Sequence, residues 1–173
     1  MLRRFTALDA PLLVELDADP EVMRWLTGGR PTPPEVVERE VLPGILAGQE
    51  RDGGPGVLVA EDPGSGVFLG WFSLRPVAGR GLELGYRLRR EVWGRGLATE
   101  GARALVRLAF DVHAAERVFA ETMAVNARSR RVLEKAGLRH VRTFWPDFPE
   151  LIPGSEHGEV EYARTAADDA ADR

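Results

Sequence analysis

Gly81-Leu82-Glu83-Leu84-Gly85-Tyr86-Arg87-Leu88 predicts a β-strand. Trp93-Gly94-Arg95-Gly96-Leu97-Ala98-Thr99-Glu100, which follows closely, predicts a glycine turn that opens a helix. Such a turn points several backbone N–H groups in one direction at the positive end of the helix dipole, and this arrangement binds phosphate or pyrophosphate. Glycines also serve in ordinary strand-to-helix connections, so the turn alone is a weak signal.

Two later segments make the pattern more specific. Asn126-Ala127-Arg128-Ser129 is typical of a helix start, and Glu134-Lys135-Ala136-Gly137-Leu138 is typical of the end of that helix. Because the three features follow one another in order along the chain, they are far more informative together than singly.

Length and composition bound the class of protein. At 173 residues, the chain is long enough to bury one core and too short to need two domains. Its net charge of −4 argues against a general nucleic-acid binder, whose surface is basic. The chain contains no cysteine, which excludes disulfides, thiol nucleophiles and cysteine-ligated metals, and no metal site is predicted.

The sequence pattern also bears on location. No apolar run approaches the length that spans a membrane, and segment 1–9 lacks the apolar core of a signal peptide. We therefore expect a cytoplasmic protein that binds neither membrane nor nucleic acid.

The N-terminal part of the chain predicts a short strand followed by helices. Asp9 is expected to cap the first helix. Gly28-Gly29 is expected to end a second helix, and Thr32-Pro33-Pro34-Glu35 resembles a capping box for a third. Pro43 is expected to kink that third helix or to end it early.

From Val57 onward the pattern changes to strands, which then alternate with helices. Segments 57–60, 67–72 and 82–88 predict an antiparallel meander. The elements predicted after it are a helix over 98–112, a strand over 117–123, a helix over 126–136, a strand over 138–144, a loop over 145–158, a strand over 159–164 and a polar tail over 166–173 that frays. This order predicts an α/β fold with a mixed sheet of about six to seven strands.

These motifs resemble the GCN5-related N-acetyltransferase (GNAT) superfamily, and within it the RimJ/RimL-like branch of ribosomal-protein N-terminal acetyltransferases. The superfamily signature is Gln or Arg, two residues, Gly, one residue, then Gly or Ala. Trp93-Gly94-Arg95-Gly96-Leu97-Ala98 is similar to it, with Trp93 in the first position. Glu83-Leu84-Gly85-Tyr86, the two helix segments quoted above and His157-Gly158-Glu159-Val160-Glu161-Tyr162 resemble the branch. The resemblance implies a GNAT-like fold, with helices on both faces of the sheet, and one acyl-CoA N-acyltransferase domain over 1–165.

The resemblance implies acetyl-CoA as the cofactor and CoA as a product. The pyrophosphate is expected on the N–H groups at the helix start, where Gly94 and Gly96 let the backbone approach without a Cβ in the way. The pantetheine arm is expected between the strands that end near Leu88 and Met123, with the backbone N–H near Leu88 facing the thioester carbonyl. The expected cofactor-binding residues are Leu88, Arg90, Trp93, Gly94, Arg95, Gly96, Leu97, Ala98, Thr99, Asn126 and Ser129.

Several of these residues also have an ordinary structural explanation. Arg90 and Arg95 either contact phosphate or are solvated surface arginines. Asn126 either only caps the helix that follows or also hydrogen-bonds to the cofactor arm. Ser129 either protonates or stabilises the leaving thiolate or is an ordinary helix residue. The tyrosine that many superfamily members use as a general acid is replaced here by Leu133.

The predicted catalytic residues are Glu83 and Ser129. Some superfamily members place a base on the strand that leads to the cofactor, and Glu83 is the first candidate for it. An α-amino group has a pKa of about 8, so a sizeable fraction of it is already neutral at cellular pH. A weak base that acts through a water molecule is therefore enough. Asp147, Glu150 and His157 in the late loop are the rivals.

The implied reaction moves an acetyl group from acetyl-CoA to a primary amine by direct attack in a ternary complex. A protein or peptide N-terminal α-amine is the first-choice acceptor. The alternatives are a small-molecule amine (an aminoglycoside, a polyamine or an amino acid) and a non-catalytic acyl-CoA-binding sensor. The candidates for acceptor contacts are Trp145, Asp147, Phe148 and His157, because aromatic and acidic groups in a loop favour a cationic amine. Homodimer formation is a further expectation.

Overall fold

A computed structural model describes residues 1–51, 55–147 and 150–172 of the chain. The strands are β1 (Leu2–Arg4), β2 (Gly56–Glu61), β3 (Phe68–Val77), β4 (Gly81–Leu88), β5 (Arg117–Met123), β6 (Arg139–Phe144) and β7 (Glu159–Thr165). They form a seven-stranded mixed sheet in the order β1-β2-β3-β4-β5-β7-β6. This confirms the predicted α/β class and the predicted number of strands.

Helices connect and flank these strands. They are α1 (Ala10–Asp17), α2 (Pro20–Thr27), α3 (Pro34–Val36), α4 (Leu42–Arg51), α5 (Leu97–Asp111), α6 (Ala127–Lys135) and α7 (Ala166–Ala171).

The chain divides into an N-terminal unit (Met1–Arg75 with Tyr86–Arg95) and a C-terminal unit (Pro76–Gly85 with Gly96–Arg173). The single domain expected over 1–165 stays a prediction.

The N-terminal unit combines β1 and β2 with most of β3 and the first four helices. The strands are antiparallel, with Leu2 opposite Ala60 and Val57 opposite Ser73. Apolar faces of the strands and helices meet in one buried cluster, since each element can hide only one face. The cluster consists of Phe5, Leu13, Leu16, Val22, Val37, Leu42, Val57, Val59 and Phe68.

One capping prediction in this unit is correct only in position, and a second is wrong. Asp9 is the N-cap residue of α1, but its carboxylate makes no cap hydrogen bond to that helix; it accepts two hydrogen bonds of 2.8 Å from the Arg3 guanidinium. Thr32 does not cap α3, because its hydroxyl donates to the carboxylate of Asp17 at 2.6 Å. Asp17 is buried and also pairs with Arg87, so it recruits the hydroxyl that the sequence pattern assigned to a helix end.

Pro43 was predicted either to kink the third helix or to end it early, and it does not end it. The segment Val37–Val41 widens into a π-helical turn, and the helix then continues as α4 through Arg51. A proline removes one backbone donor and clashes with the carbonyl four residues earlier. A widened turn just before the ring relieves that clash, so the helix survives.

The C-terminal unit holds the start of β4 together with β5, β6 and β7. Leu82 and Glu83 of β4 pair in parallel with Val118 and Phe119 of β5. β5 and β6 both lie antiparallel to β7. The core on one side of this sheet is formed by Leu105, Ala109, Val118, Leu133, Leu138, Val160 and Tyr162, all of which are buried.

Most element boundaries agree with the prediction to within one or two residues, but β3 extends to Val77, five residues beyond its predicted end, and two later segments also differ. Part of the predicted loop 145–158 forms a short 3₁₀ turn over Ser155–His157. The tail predicted to fray forms α7, whose N-terminus is a capping box between Thr165 and Asp168. Arg164 reinforces α7 by donating to Asp169 at 3.2 Å and to Asp172 at 2.8 Å. The acidic residues of the tail therefore serve as hydrogen-bond acceptors for a helix.

Candidate active site

The turn before α5 has the backbone conformation that the glycines predict. Gly94 and Gly96 have φ angles of +76° and +82°, a region that favours glycine. An added Cβ at either position would meet no atom of the described residues within 4 Å. The backbone of this turn is therefore exposed and has room above it for a ligand.

The first turn of α5 offers N–H groups without a protein partner. Gly96 is the N-cap, and no side chain from the described part of the chain caps the amides of Leu97, Ala98 or Thr99. The helix is 15 residues long, so its dipole is well developed at this end. An uncapped helix start behind a glycine turn fits a diphosphate, which supplies the acceptors that the protein does not.

The Trp93 indole braces the chain before this turn. Its Nε1 donates to the carbonyl oxygen of Leu88 at 2.8 Å, and its ring packs beside the N-terminal core. The indole hydrogen bond therefore fixes the loop between β4 and the glycine turn. The sequence pattern marked Trp93 as a departure from the signature but did not reveal this hydrogen bond.

Gly70 on β3 was not singled out from the sequence, yet it positions the end of β4. Its φ is +134°, and a Cβ there would lie 2.2 Å from the Arg87 carbonyl oxygen and 2.7 Å from the Leu88 Cα. The Arg89 N–H also donates to the Leu69 carbonyl at 2.9 Å. Only glycine allows β3 to approach the backbone at Leu88 this closely, and the isolated glycine inside a strand was the available signal.

The two arginines expected near phosphate are largely exposed. The Arg90 Nε lies 3.2 Å from Asp19, and the Arg90 side chain is 58% exposed. Arg95 is exposed on the turn between the two glycines. Their contact with phosphate stays a prediction.

Asn126 and Ser129 lie together at the start of α6. The Asn126 side-chain oxygen accepts a hydrogen bond of 3.2 Å from the Ser129 backbone N–H, so the capping explanation is correct for Asn126. The cap uses the oxygen of the amide and leaves its NH₂ group as the donor for any ligand. Contact with a cofactor arm is therefore compatible with capping.

The general-acid tyrosine is absent from α6 in structure as well as in sequence. Leu133 is buried in the core. Tyr162 is buried too, and its hydroxyl donates to Glu134 at 2.9 Å while accepting from Arg130 at 3.2 Å. These hydrogen bonds attach α6 to β7, so the Tyr162 hydroxyl has a structural role.

One face of the sheet in the C-terminal unit carries a dense set of charges. The register places Glu83 opposite Phe119, Glu121 opposite Glu161, and Met123 opposite Glu159. Because alternate residues of a strand share a face, Glu83, Glu121, Glu159 and Glu161 all project from the same side. The sequence alone did not reveal this carboxylate face, since strand register is not written in local patterns.

Arginines neutralise one end of this carboxylate face. Glu161 is buried, and its carboxylate forms ion pairs with Arg80 and Arg142, each at 2.8 Å, and with Arg117. Burial alone would raise the pKa of Glu161, but hydrogen bonds from Arg142 and Arg117 outweigh it and lower that pKa. The Arg80 guanidinium also lies 4.1 Å from the centre of the Phe119 ring.

Glu159 has a different environment at the other end of the same face. It is half-buried, and no cation of the described residues forms an ion pair with it. Burial and the neighbouring Glu121 carboxylate raise the pKa of Glu159 to about 7. This carboxyl group therefore changes protonation near neutral pH, which sequence reasoning missed.

The late loop contains the predicted acceptor contacts. Trp145 is 66% exposed, and its Nε1 donates to the Glu156 carbonyl at 3.2 Å. His157 and Asp147 are exposed, and the His157 ring lies 3.6 Å from the Glu156 carboxylate. Phe148 lies outside the described residues. The roles of these four residues stay predictions.

Comparison with known proteins identifies the relatives of this chain. A family model described as an acetyltransferase (GNAT) domain matches residues 1–139. A curated relative from Aspergillus fumigatus, FsC-acetyl coenzyme A-N(2)-transacetylase, is 38% identical over 162 residues, which cover 88% of this chain and 67% of the relative. No helix of the described residues is long and apolar enough to cross a membrane.

Solved structures share the fold at lower sequence identity. Spermidine N-acetyltransferase from Vibrio cholerae, solved with CoA and spermine, is 16% identical with a TM-score of 0.77, and the match covers 97% of this chain and 96% of the other. Aminoglycoside acetyltransferase AAC(6')-Ib with coenzyme A is 24% identical with a TM-score of 0.75, and the match covers 99% of this chain and 97% of the other.

Proposed function

Since this chain belongs to the acetyltransferase (GNAT) family, and is therefore an acetyl-CoA-dependent N-acetyltransferase, we propose that its acceptor is a primary amine on a small cationic molecule. Acetyl-CoA supplies an activated acetyl thioester. The RimJ/RimL-like branch and a protein N-terminus as acceptor stay predictions from the resemblance.

The observation that carries the cofactor assignment is the uncapped start of α5 behind Gly94 and Gly96. We propose that the amides of Leu97, Ala98 and Thr99 donate to the pyrophosphate of the cofactor. Both glycines leave the space above the turn open, so the phosphates can approach the backbone directly.

We propose that the backbone N–H at Leu88 stabilises the oxyanion that forms during transfer. Such a donor is worth about 2.7–4 kcal/mol in the transition state. Gly70 and the Trp93 indole support this role, because they determine where the backbone of Leu88 lies. A positioning network of this kind keeps the donor aimed while the acceptor attacks.

The carboxylate face supports a cationic acceptor. Glu121 and Glu159 lie on neighbouring strands near the end of β5, and Glu159 has no ion-pair partner among the described residues. Carboxylates in a partly buried position attract an ammonium group more strongly than exposed ones. The named functions of the relatives also support a small amine, since they act on FsC and spermidine.

Release of CoA thiol in the presence of different amines tests this proposal. The panel is spermidine, kanamycin, glycine amide and a peptide with a free N-terminus, each with acetyl-CoA as donor. We expect the small cationic amines to give the highest kcat/KM. A peptide that is acetylated fastest would favour the N-terminal acceptor, whereas acetyl-CoA binding without turnover of any amine would favour the sensor.

A further inference from the structure

Glu159 lies at the edge of the sheet where a ligand of this fold is expected. In parallel α/β arrangements, ligands bind outside the carboxyl ends of the strands. β5 runs parallel to β4 and ends at Met123, and α5 begins at the same edge because it returns the chain between these two strands. Glu159, opposite Met123, begins β7 at that edge, next to the hydrogen bond of 2.9 Å from the Ala124 N–H to the Gly158 carbonyl oxygen.

Glu83 lies further from this edge. It pairs with Phe119, and Met123 is four residues further along β5. At about 3.3 Å per residue, four residues correspond to about 13 Å, which exceeds the reach of a glutamate side chain. Along the strand direction, Glu159 is therefore nearer than Glu83 to the carboxyl ends of β4 and β5, where a ligand of this fold is expected.

The surrounding charges leave Glu159 able to accept a proton. Arginine side chains pair with Glu161 and Glu121, and none of the described cations pairs with Glu159. A carboxylate fixed in an ion pair is a poor base because the cation stabilises its charge. The raised pKa of Glu159, about 7, is close to the working pH that suits a general base.

We propose that Glu159 is the catalytic base that takes a proton from the acceptor ammonium group. This inference rests on the proposed function. One N–H bond of the ammonium breaks, and its proton passes to a Glu159 carboxylate oxygen and then to solvent. The neutral nitrogen forms a C–N bond with the acetyl carbon, and the C–S bond breaks. The sulfur keeps that electron pair and takes up the second proton that the nitrogen loses, giving the amide and CoA thiol.

Several charged groups lie on the strands and turns around Glu159. They are Glu121 and Arg117 on β5, Arg142 on β6, Glu161 on β7, Arg80 before β4, and Glu156 and His157 in the preceding turn. Of these, Glu121 is the one that raises the pKa of Glu159. Removing the Glu121 charge should therefore lower the pKa of Glu159.

The test is the pH profile of kcat/KM for the best acceptor of the amine panel, in wild type and three variants. Glu159→Gln should lower kcat/KM by about 100-fold or more at pH 7.5 and remove the limb near pH 7. Glu121→Gln should keep that limb and move it to lower pH. Glu116→Gln, an exposed carboxylate just before β5, is the matched control and should leave the profile unchanged.

A limb that stays at the same pH in Glu121→Gln, or an unchanged profile in Glu159→Gln, would overturn the proposal. A limb caused by the acceptor amine itself would not respond to either substitution. Wild type that acetylates none of the amines would overturn the proposed function, which is a different outcome from an active enzyme whose profile ignores Glu159.

A stability measurement reports the same carboxyl group without turnover. A raised folded-state pKa contributes stability that is present below the unfolded value of 4.5 and is lost as pH rises through about 7. The side chain introduced by Glu159→Gln is neutral and does not titrate. The unfolding free energy of this variant in urea should therefore rise relative to that of wild type between pH 5 and pH 8. A constant difference across that range would show that Glu159 does not titrate there, and the proposal would fail.

Discussion

At the scale of single residues, Gly70 determines where the end of β4 lies. Gly70→Ala should destabilise the protein because the new Cβ would lie 2.2 Å from the Arg87 carbonyl oxygen. Gly66→Ala is the control, since Gly66 also has positive φ, of +71°, but open space around it. The loss of unfolding free energy in urea should be larger for Gly70→Ala by about 1–3 kcal/mol.

Activity adds a second readout for Gly70. In folded protein, Gly70→Ala should lower kcat, because it would displace the Leu88 N–H that we propose as the donor to the acetyl carbonyl. Gly66→Ala should keep kcat. Equal losses of stability and equal kcat values in the two variants would show that β3 tolerates a side chain at Gly70.

The sequence predicts the roles of some site residues better than the roles of others. Asn126 was predictable as a cap because capping needs only a short polar side chain before a helical pattern. The hydrogen bond of Trp93 to Leu88 was not, because it depends on the path of the intervening loop. Glu159 was not predictable as a titrating group either, since its pKa depends on burial and on Glu121, a neighbour 38 positions away in sequence.

At the scale of elements, the start of α5 is the cofactor site that we propose. Acetyl-CoA at 100 times its Kd should raise the unfolding free energy of wild type by about 2.7 kcal/mol. Gly96→Val should abolish this gain, because a branched side chain would fill the space that the phosphates need. The gain is measured by urea unfolding with and without acetyl-CoA.

Gly79→Val is the matched control for the start of α5. Gly79 lies in the turn between β3 and β4 with a φ of +70° and no atom of the described residues within 4 Å of an added Cβ. The two substitutions therefore introduce similar backbone strain. Retention of the full acetyl-CoA gain in Gly96→Val would exclude the start of α5 as the phosphate site.

Elements with strong local signals were predicted best. β5 matches its predicted span, and α6 lies within the predicted helix between its Asn cap and Gly137. The third helix was predicted less well, because a π-helical turn over Val37–Val41 precedes Pro43. Thr32 was misassigned because the buried Asp17 competed for its hydroxyl.

At the scale of the whole molecule, stability should depend on the charge network around Glu161. Its lowered pKa contributes stability that is complete above the unfolded value of 4.5 and is lost as pH falls through the lower folded value. Glu161→Gln should therefore cost about 1.5–3 kcal/mol at pH 7, and the difference from wild type should narrow below about pH 4.

Urea unfolding of both proteins between pH 3 and pH 7 measures this difference. Glu116→Gln is the control, because its exposed carboxylate lies outside the arginine network. A Glu161→Gln variant as stable as wild type at pH 7 would show that the arginines Arg80, Arg117 and Arg142 contribute no net stability through this carboxylate.

The order of elements was predictable along the chain, because each local pattern repeats with the period of a strand or a helix. The resemblance added the family, and the match over residues 1–139 confirmed it. The carboxylate face could not be predicted, since it forms only when β4, β5 and β7 adopt their register.

A crystal structure of the protein with acetyl-CoA would show directly whether the start of α5 binds the cofactor. We expect pyrophosphate oxygens within about 2.7–3.2 Å of the backbone nitrogens of Leu97, Ala98 or Thr99. We also expect the acetyl carbonyl oxygen to face the N–H of Leu88. A bound cofactor whose phosphates lie away from the start of α5 would show that this helix is not the phosphate site.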